Sequence, residues 1–386
     1  CIYCVYGCMD SIAPNYDPLA TCDDGSCSSP TVYGCTNTYA LNYNPNATFD
    51  NGSCTYNKTY VPDDIFEAWL EGNGYGDGID FNDSVLTSSI EIITSLNLNN
   101  KNISDLTGIE SMINLQNLNA NDNLLTSVNL SFLPDLSYVE IRNSNMSTID
   151  LSGSHNLQYA VLSDNNLSQI TLPDSAFFNS YYCSQYGECG LYLNLNDNLL
   201  TTINFPQTLR VYLLRLNNNP LYNIDLSSLN DLNHLQINNT HLSTLDLSSN
   251  NNINYLQALY NDSLISLDVR NKIQLNTIYA YDNDLLTDLD LRNINLVNIS
   301  YHQFTGNPQL TCISVDNLTV ANVLLDNIDP GCLFSLNCTG LGCMDPAALN
   351  YDLSASTDDG SCIYCVYGCM DSIAPNYDPL ATCDDG

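Results

Sequence analysis

The chain has 386 residues, with 43 acidic against only 8 basic side chains and a formal net charge of −35. A surface with this charge repels nucleic acids and anionic lipids, so neither is expected as a partner. No run of about 18 apolar residues occurs, and we expect no membrane-spanning segment. The 17 cysteines indicate an oxidising, extracellular compartment in which disulfides form.

The chain returns to its own beginning, because residues 362–386 repeat residues 1–25 letter for letter. The period is therefore 361 residues, and residues 1–361 contain 13 cysteines. We interpret the chain as slightly more than one period of a longer periodic object. That object is either a tandem-repeat protein or a filament of overlapping units, so the expected partner is a further copy of the chain itself.

Three copies of a small cysteine module can be aligned, at 7–27, 34–54 and 342–362, and a fourth copy begins near the C-terminal end. In each complete copy the two framing cysteines lie nineteen positions apart. A module of about twenty residues cannot enclose a hydrophobic core, so it is predicted to need a disulfide. The simplest pairing joins Cys8 to Cys27, Cys35 to Cys54 and Cys343 to Cys362. The additional Cys22 has Cys4, just upstream, as its natural partner.

The Cys-x-x-Cys formed by Cys1 and Cys4 has the spacing of a redox motif. We interpret it instead as the junction at which the disulfides of two modules meet. Because few residues separate neighbouring modules, the sequence predicts a semi-rigid rod of modules.

The large domain begins with a short predicted helix around 64–70, for which Pro62 and Asp63 provide the start signals. From Leu96 onward the period of about 21 residues is typical of a leucine-rich repeat, and roughly ten turns are expected. Each turn is predicted to contribute one short strand with inward apolar side chains. An asparagine follows the strand, and its amide can satisfy backbone groups of adjacent turns. These asparagines are Asn123, Asn165, Asn198 and Asn219.

One insertion interrupts the repeats between Pro173 and Gly190, and we predict a loop closed by a disulfide between Cys183 and Cys189. The expected fold is a β-rich leucine-rich-repeat solenoid with a short N-terminal helical cap, joined to small disulfide-rich, Asp-rich modules. The predicted domains are 1–27 and 28–54 for two modules, 55–95 for the N-terminal cap, 96–311 for the solenoid, 312–341 for a C-terminal cap, 342–362 for the third module and 363–386 for the start of the next period.

The segments VPDDIFEAWL, LNLNNKNISDLTGIESMINLQNLNANDNLLTSVNLS and NPQLTCISVDN resemble leucine-rich-repeat domains of secreted and surface proteins from Bacteroidota, especially marine flavobacteria. The resemblance covers 60–338, and the GC-x-D…NY…DDGSC modules resemble small repeats in secreted proteins of the same bacteria. It implies a location outside the cell or at its surface, and a disulfide between Cys312 and Cys338. Cys332 then remains. It is a buried free thiol, a swapped partner of Cys312, or the site of a bond between neighbouring strands of a fibre.

No catalytic set is found: the four histidines lie on repeat turns, and no HExxH, GxSxG or phosphate-cradling motif occurs. We predict that the chain is not an enzyme. Calcium is the candidate cofactor, because hard oxygen ligands recur at the same offsets in the modules beside a turn-forming glycine. The alternative is that these side chains only cap turns. The candidate ligands are Asp10, Asn15, Asp17, Asp23 and Asp24 in the first copy, and Asp345, Asn350, Asp352, Asp358 and Asp359 in the third.

Covalent glycans are also expected, because the Asp-Ser/Thr-apolar triplet resembles the O-glycan acceptor of Bacteroidota. It occurs at Ser11, Ser84, Ser175, Ser263 and Ser372.

One column of the predicted sheet contains aromatic residues at the third position of successive turns: Tyr138, Tyr159, Tyr192, His234 and Tyr255, interrupted by Leu213. These rings either bind sugar rings, receive a neighbouring unit, or stack on one another. Two functions follow. The first is a structural repeat unit of an extracellular fibre or stalk. The alternative is a long surface adhesin whose solenoid binds polysaccharide or a protein ligand.

Overall fold

The structure is a computed structural model that describes residues 3–29, 31–38, 40–176, 190–338, 340–353, 355, 357–358, 360, 362–370 and 373–384. The chain divides into two compact units. The first comprises Cys1–Ile93 with Thr107–Met112, and the second comprises Thr94–Leu106 with Ile113–Gly386.

The two modules of the first unit share one small fold. In each, a two-residue strand pairs in parallel with a second two-residue strand. These strands are β1 (Tyr6–Gly7) with β2 (Cys22–Asp23), and β3 (Tyr33–Gly34) with β4 (Phe49–Asp50). Disulfides join Cys8 to Cys27, Cys35 to Cys54 and Cys4 to Cys22, which are the pairs that the spacing predicts.

The rest of the first unit contains the predicted helix, α1 (Asp64–Gly72), which extends two residues beyond its predicted end. The Asp63 side chain caps it by accepting hydrogen bonds from the backbone N–H groups of Ile65 and Phe66. Further elements of this unit are the antiparallel pair β5 (Lys58–Tyr60) and β6 (Ser84–Leu86), the helix α2 (Thr87–Ile90) and a 3-10 turn at Ile109–Ser111.

The second unit contains a leucine-rich-repeat solenoid, which confirms the fold predicted from the 21-residue period. Its main sheet has ten parallel strands. They are β7 (Ser95–Asn97), β8 (Asn117–Asn119), β10 (Tyr138–Glu140), β12 (Tyr159–Val161), β14 (Leu191–Asn194), β15 (Val211–Arg215), β16 (His234–Gln236), β17 (Tyr255–Gln257), β19 (Thr277–Tyr279) and β21 (Tyr301–Gln303).

Later residues of the turns form two shorter parallel ladders. The first consists of β9 (Ser127–Asn129), β11 (Thr148–Asp150) and β13 (Gln169–Thr171), and the second of β18 (Ser266–Asp268), β20 (Asp288–Asp290), β22 (Cys312–Ser314) and β23 (Leu333–Ser335). The second ladder therefore continues into the segment predicted as a C-terminal cap. That segment also contains the helix α3 (Leu318–Leu324), which the sequence analysis did not predict.

Buried leucines and an internal ladder of asparagines hold the turns together. Most strands of the main sheet bury their central residue, as Leu118 and Leu235 show. The Asn123 amide donates hydrogen bonds to the carbonyls of Leu98 and Ala120, both at 2.9 Å, and its oxygen accepts the N–H of Ile103 at 3.0 Å. The same role falls to Asn165, Asn198 and Asn219, as predicted.

The asparagine ladder ends on a carboxylate. Asp329 accepts the N–H groups of Gly306 at 2.8 Å and Asn307 at 2.6 Å, where a further turn would otherwise supply an asparagine oxygen. These buried backbone groups therefore keep hydrogen-bond partners at the end of the ladder.

A recurring left-handed residue explains part of the abundance of Asp and Asn. In successive turns the residue before the ladder position, which is an asparagine in most turns and Ser144 or Thr240 in two, has a positive φ, a conformation that Asp and Asn tolerate better than most side chains. These residues are Asp122, Asn143, Asp164, Asp197, Asn218, Asn239, Tyr260 and Asp282. Tyr260, at φ 56°, is the exception among them.

The end of the second unit repeats the module fold. The strands β24 (Leu341–Gly342) and β25 (Thr357–Asp358) pair in parallel, as do β26 (Tyr367–Gly368) and β27 (Cys383–Asp384). Disulfides join Cys343 to Cys362 and Cys365 to Cys383. The second of these pairs repeats the Cys4–Cys22 disulfide of the first unit, so the duplicated sequence forms the same ladder and the same disulfide at both places.

Candidate binding face and module turns

The strand register brings the predicted aromatic column together on one face of the main sheet. Tyr138 lies opposite Tyr159, and Tyr159 lies opposite Tyr192. Leu213 then separates Tyr192 from His234, which lies opposite Tyr255.

Neighbouring rings in this column contact one another. The Tyr159 and Tyr192 ring centroids are 5.1 Å apart with an interplanar angle of 23°, and those of His234 and Tyr255 are 5.5 Å apart at 15°. This follows from the spacing of about 4.8 Å between strands, which places in-register rings at stacking distance. Of the three interpretations of the column, the geometry favours mutual stacking. The stacked faces are covered, and the ring edges and hydroxyl groups remain for other contacts.

One end of the column carries a charged group. The Tyr138 hydroxyl donates a 2.5 Å hydrogen bond to Glu140, which pairs with Arg142 at 2.6 Å. Burial and this bond to a carboxylate raise the pKa of Tyr138 to about 12. Tyr138 is therefore a neutral hydrogen-bond donor at physiological pH, and Glu140 already has a cationic partner.

Arg215 lies in the middle of the same face and is not among the site residues predicted from the sequence. Its guanidinium carbon is 5.3 Å from the centre of the Tyr192 ring, a cation–π distance. The residues opposite it on the adjacent strands are the neutral Asn194 and Gln236. Arg215 forms no ion pair with any residue that the structure describes, and its buried Nε has no hydrogen-bond partner there.

Three further aromatic residues extend the face. Tyr279 packs edge-on against Tyr255 at 6.3 Å, and Tyr301 on the last strand is 62% exposed. Tyr212 lies 5.6 Å from His234 because β15 contains one residue more than its neighbour β14 at a shift in register. Tyr279 and Tyr301 belong to turns that the sequence shows, so both could have been predicted. The position of Tyr212 could not, because it depends on the register shift.

The candidate calcium ligands of the first module act as turn caps. Side-chain oxygens of Asp10, Asp17, Asp23 and Asp24 each accept the backbone N–H two residues later, at 2.9–3.1 Å. Hydrogen bonds from the side chain of Ser26 and from its backbone N–H lower the pKa of Asp24. Gly25 has a φ of 72°, which permits the sharp turn between these caps.

The asparagine of the NY motif has the same role in each module, because its side-chain oxygen accepts the backbone N–H thirteen residues later. Asn15 donates to the Ser26 carbonyl at 2.7 Å and accepts the Ser28 N–H at 2.8 Å, so both ends of its amide hold the chain that leaves the module. Asn350 accepts the Ile363 N–H at 2.7 Å in the third copy. These contacts occupy the amide oxygens that a calcium ion would need.

The remaining ligands of the third module are arranged similarly where they are described. Asp345 accepts the Ala347 N–H at 2.8 Å, and Asp358 accepts the Gly360 N–H at 3.1 Å. Asp352 lies against Gly342, where a Cβ would be 3.0 Å from its carboxylate oxygen. Asp359 lies outside the described residues.

One close group of carboxylates lies elsewhere, in the first unit. Oxygens of Asp64, Glu67 and Asp83 lie within 4.8 Å of one another, and no second such group of three metal-binding side chains occurs in the described ranges. Buried Glu67 accepts the N–H groups of Asn82 at 3.0 Å and Asp83 at 3.2 Å. Its carboxylate therefore holds the loop before β6.

A cleft of about 170 Å³ on the solenoid contains a buried lysine. Lys272 donates to Asn251 at 3.3 Å, and burial lowers the pKa of its amine. Asp246, Asp268 and Arg270 also line the cleft. Its two carboxylates and two cations offset one another, so the cleft has no net charge that would attract an ion.

The structure pairs Cys312 with Cys338, as the resemblance implied, and leaves Cys332 as a buried free thiol. Burial and nearby Asp329 raise the pKa of Cys332 to about 11, which keeps it protonated and poorly reactive. Cys369, the counterpart of Cys8, is also free and half-buried. Cys1, Cys183 and Cys189 lie outside the described residues.

Of the predicted glycan acceptors, Ser11 is exposed, and Ser84, Ser175 and Ser263 are half-buried. Ser84 and Ser175 donate to Asn82 and Asp174 respectively. Ser372 lies outside the described residues.

No protein-family model matches the chain, and no curated protein matches it either. Solved leucine-rich-repeat structures are similar to it. The functional domain of InlJ from Listeria monocytogenes, which includes a cysteine ladder, is 19% identical, with 70% of this chain and 80% of that chain covered and a TM-score of 0.30. A leucine-rich-repeat protein of Leptospira interrogans is 19% identical over 59% of this chain and 69% of that chain, with a TM-score of 0.39. YopM from Yersinia enterocolitica is 19% identical over 69% and 74%, with a TM-score of 0.26. At such identities the likeness concerns the fold alone.

No helix in the described part of the chain is both long enough and apolar enough to cross a membrane.

Proposed function

We propose that this chain is a structural repeat unit of an extracellular fibre or stalk, with a period of 361 residues and no catalytic activity. The observation that carries the proposal is the duplicated segment of 25 residues. Its two occurrences form the same parallel ladder and the same disulfide, Cys4–Cys22 and Cys365–Cys383. A sequence that recurs with its own fold before and after a solenoid along the chain suits a repeated unit.

The six disulfides among the described residues support a location outside the cell. The resemblance of the repeats to those of secreted Bacteroidota proteins supports the same location and suggests a bacterium of that group as the source. Calcium in the modules and glycans on the serines remain part of this proposal. In the first module the turn contacts of Asp10, Asp17 and Asp23 use one carboxylate oxygen each, which leaves the other oxygen for an ion.

The state of Cys332 supports units that are not joined through this residue. It is 8% exposed and its pKa is raised, so a disulfide to another chain would require local unfolding. We therefore expect units of the fibre to be continuous in the polypeptide or to associate without covalent bonds.

Electron micrographs of the purified protein test the fibre proposal. Regular filaments in extracellular buffer are the expected result, and a protein that shows only dispersed particles at every concentration contradicts it. The same sample on a glycan array tests the second candidate function, adhesion through the sheet face. The observation that favours this second function is the unpaired Arg215 among the tyrosines.

A further inference from the structure

Arg215 differs from every other arginine of the chain. Arg142, Arg210, Arg270 and Arg292 each have a carboxylate oxygen at 2.6–2.7 Å. Arg215 has none among the described residues, although acidic side chains outnumber basic ones 43 to 8. Because a guanidinium binds a carboxylate through charge-assisted hydrogen bonds, an arginine left unpaired in so acidic a protein suits a carboxylate that comes from elsewhere.

The surroundings of Arg215 are neutral and rich in hydrogen-bonding groups. Asn194 and Gln236 lie opposite it on adjacent strands, and both are half-buried. Gln236 accepts an amide hydrogen of Asn217 at 3.2 Å, and Gln257 accepts one of Asn238 at 3.3 Å. These bonds orient the two glutamine side chains, of which Gln236 lies beside Arg215 and Gln257 lies one strand further along.

The aromatic residues complete the boundary of this region. Tyr192 has Tyr159 stacked at 5.1 Å and the Arg215 guanidinium at 5.3 Å. Tyr255 is stacked on His234, and the side chains of Gln236 and Gln257 interact with its hydroxyl group. The Tyr192 ring therefore contacts the guanidinium directly, and Tyr255 belongs to the same polar surface.

We propose that Arg215, with Tyr192 and Tyr255 on either side, is the subsite for the carboxylate of a hexuronic acid within an otherwise neutral polysaccharide. Amide and phenol groups match the hydroxyl groups of neutral sugars, and the single guanidinium matches one carboxylate. A net charge of −35 repels densely charged ligands such as acidic polypeptides, so the carboxylates of the ligand must be sparse. This inference rests on adhesion through the sheet face and is independent of fibre formation.

Calorimetry with a matched pair of oligosaccharides tests the inference. One contains a single glucuronic acid flanked by neutral sugars, and the other is the same oligosaccharide with its carboxyl group reduced to an alcohol. The intact protein is expected to bind the acidic form at least tenfold more tightly, a difference of about 1.4 kcal/mol. The preference is expected to decrease as salt is added.

Variants of two arginines supply the control. Arg215→Gln is expected to remove the preference for the acidic oligosaccharide, and Arg215→Lys to retain only part of it, since lysine lacks the planar fork. Arg210→Gln is the matched control, because Arg210 already pairs with Asp231 and its side chain is 47% exposed. This variant is expected to keep the full preference.

Several outcomes overturn the inference: equal binding of the two oligosaccharides, no binding of either, or the same loss in both glutamine variants. Tighter binding of a peptide with one glutamate in a neutral sequence would assign the face to a polypeptide instead. Thermal melting of Arg215→Gln shows whether the variant is folded. Micrographs of the same variant score fibre formation separately, so the failure of one proposal is distinguishable from the failure of the other.

Discussion

The solenoid and the small modules are stabilised in opposite ways. In the solenoid, leucines such as Leu118 and Leu235 are fully buried, and asparagines satisfy the backbone between turns. In the first module the buried apolar side chains are Cys8 and Ala13, while Ile12 is 77% and Leu19 is 76% exposed. One chain therefore combines repeats held by a hydrophobic core with repeats held by disulfides.

Reduction should separate the two regions most strongly. Each module disulfide closes a loop of about twenty residues and is worth about 3 kcal/mol, more than so small a core replaces. We expect a reductant to unfold the modules and leave the solenoid folded. Hydrogen exchange followed by mass spectrometry measures this, with loss of protection at Tyr16 and Asp17 and retained protection in β8. Loss of protection in both regions together would contradict the comparison.

A core substitution should damage the solenoid alone. Leu235→Ala removes a fully buried side chain and is expected to lower the free energy of unfolding by about 2–5 kcal/mol. The matched module variant Ile12→Ala removes an exposed side chain and should change stability by no more than about 0.5 kcal/mol. Urea denaturation measures both. Equal losses would mean that Ile12 is buried in an arrangement other than the one described.

The asparagine ladder offers a pair of changes with opposite signs. Asn219→Ala leaves the carbonyls of Leu195 and Leu216 without their donor and should cost about 1–3 kcal/mol. Ser144 occupies the ladder position in its own turn, and its buried hydroxyl has no partner among the described residues. Ser144→Asn should therefore raise the melting temperature. If it lowers it, the turn around Ser144 does not follow the geometry of the others.

Tyr260 offers a smaller test of the same turns. A left-handed conformation costs a tyrosine about 1 kcal/mol more than an asparagine, so Tyr260→Asn should stabilise the solenoid by up to that amount. The edge-to-face contact with the Tyr281 ring, at 5.6 Å, reduces the gain. Asn239→Tyr, the reciprocal change at the preceding left-handed residue, should destabilise. Calorimetric melting temperatures of both variants decide whether the conformation or the ring contact dominates.

Calcium is expected to have the smallest effect, and only on the modules. If the carboxylates of Asp17, Asp23 and Asp24 bind the ion, adding a chelator should speed hydrogen exchange in 7–27 and leave β8 unchanged. Asp24→Asn should then reproduce the effect of the chelator. Identical exchange with and without calcium would mean that these side chains act as turn caps alone.

Much of the fold could be predicted because it depends on the spacing of particular residues along the chain. The 21-residue period gave the solenoid, the position of Asn123 gave the ladder, and the separation of Cys8 from Cys27 indicated the module disulfide. The candidate binding face was less accessible, because it depends on contacts between turns. That Arg215 lacks a carboxylate, or that Asn15 holds the exit of its module, follows only from the positions of all surrounding groups.

The stacking of the tyrosine column shows the same limit. The sequence placed Tyr159 and Tyr192 in one row, yet three uses of the rings remained open. The interplanar angle of 23° between these two rings favours mutual stacking over the other two uses, since a ring face covered by a neighbouring ring is not available to a sugar.

Sedimentation of the intact chain in calcium-containing buffer, followed by a denaturing gel without reductant, tests whether the chain assembles into a fibre through contacts other than disulfides. A structural repeat unit should sediment as assemblies far larger than 42.6 kDa, and the gel should show either release to that mass or a larger continuous polypeptide. Both gel results agree with a buried, unreactive Cys332. A single 42.6 kDa species in sedimentation at every concentration would contradict the fibre, and large material released only by reductant would contradict the assignment of Cys332.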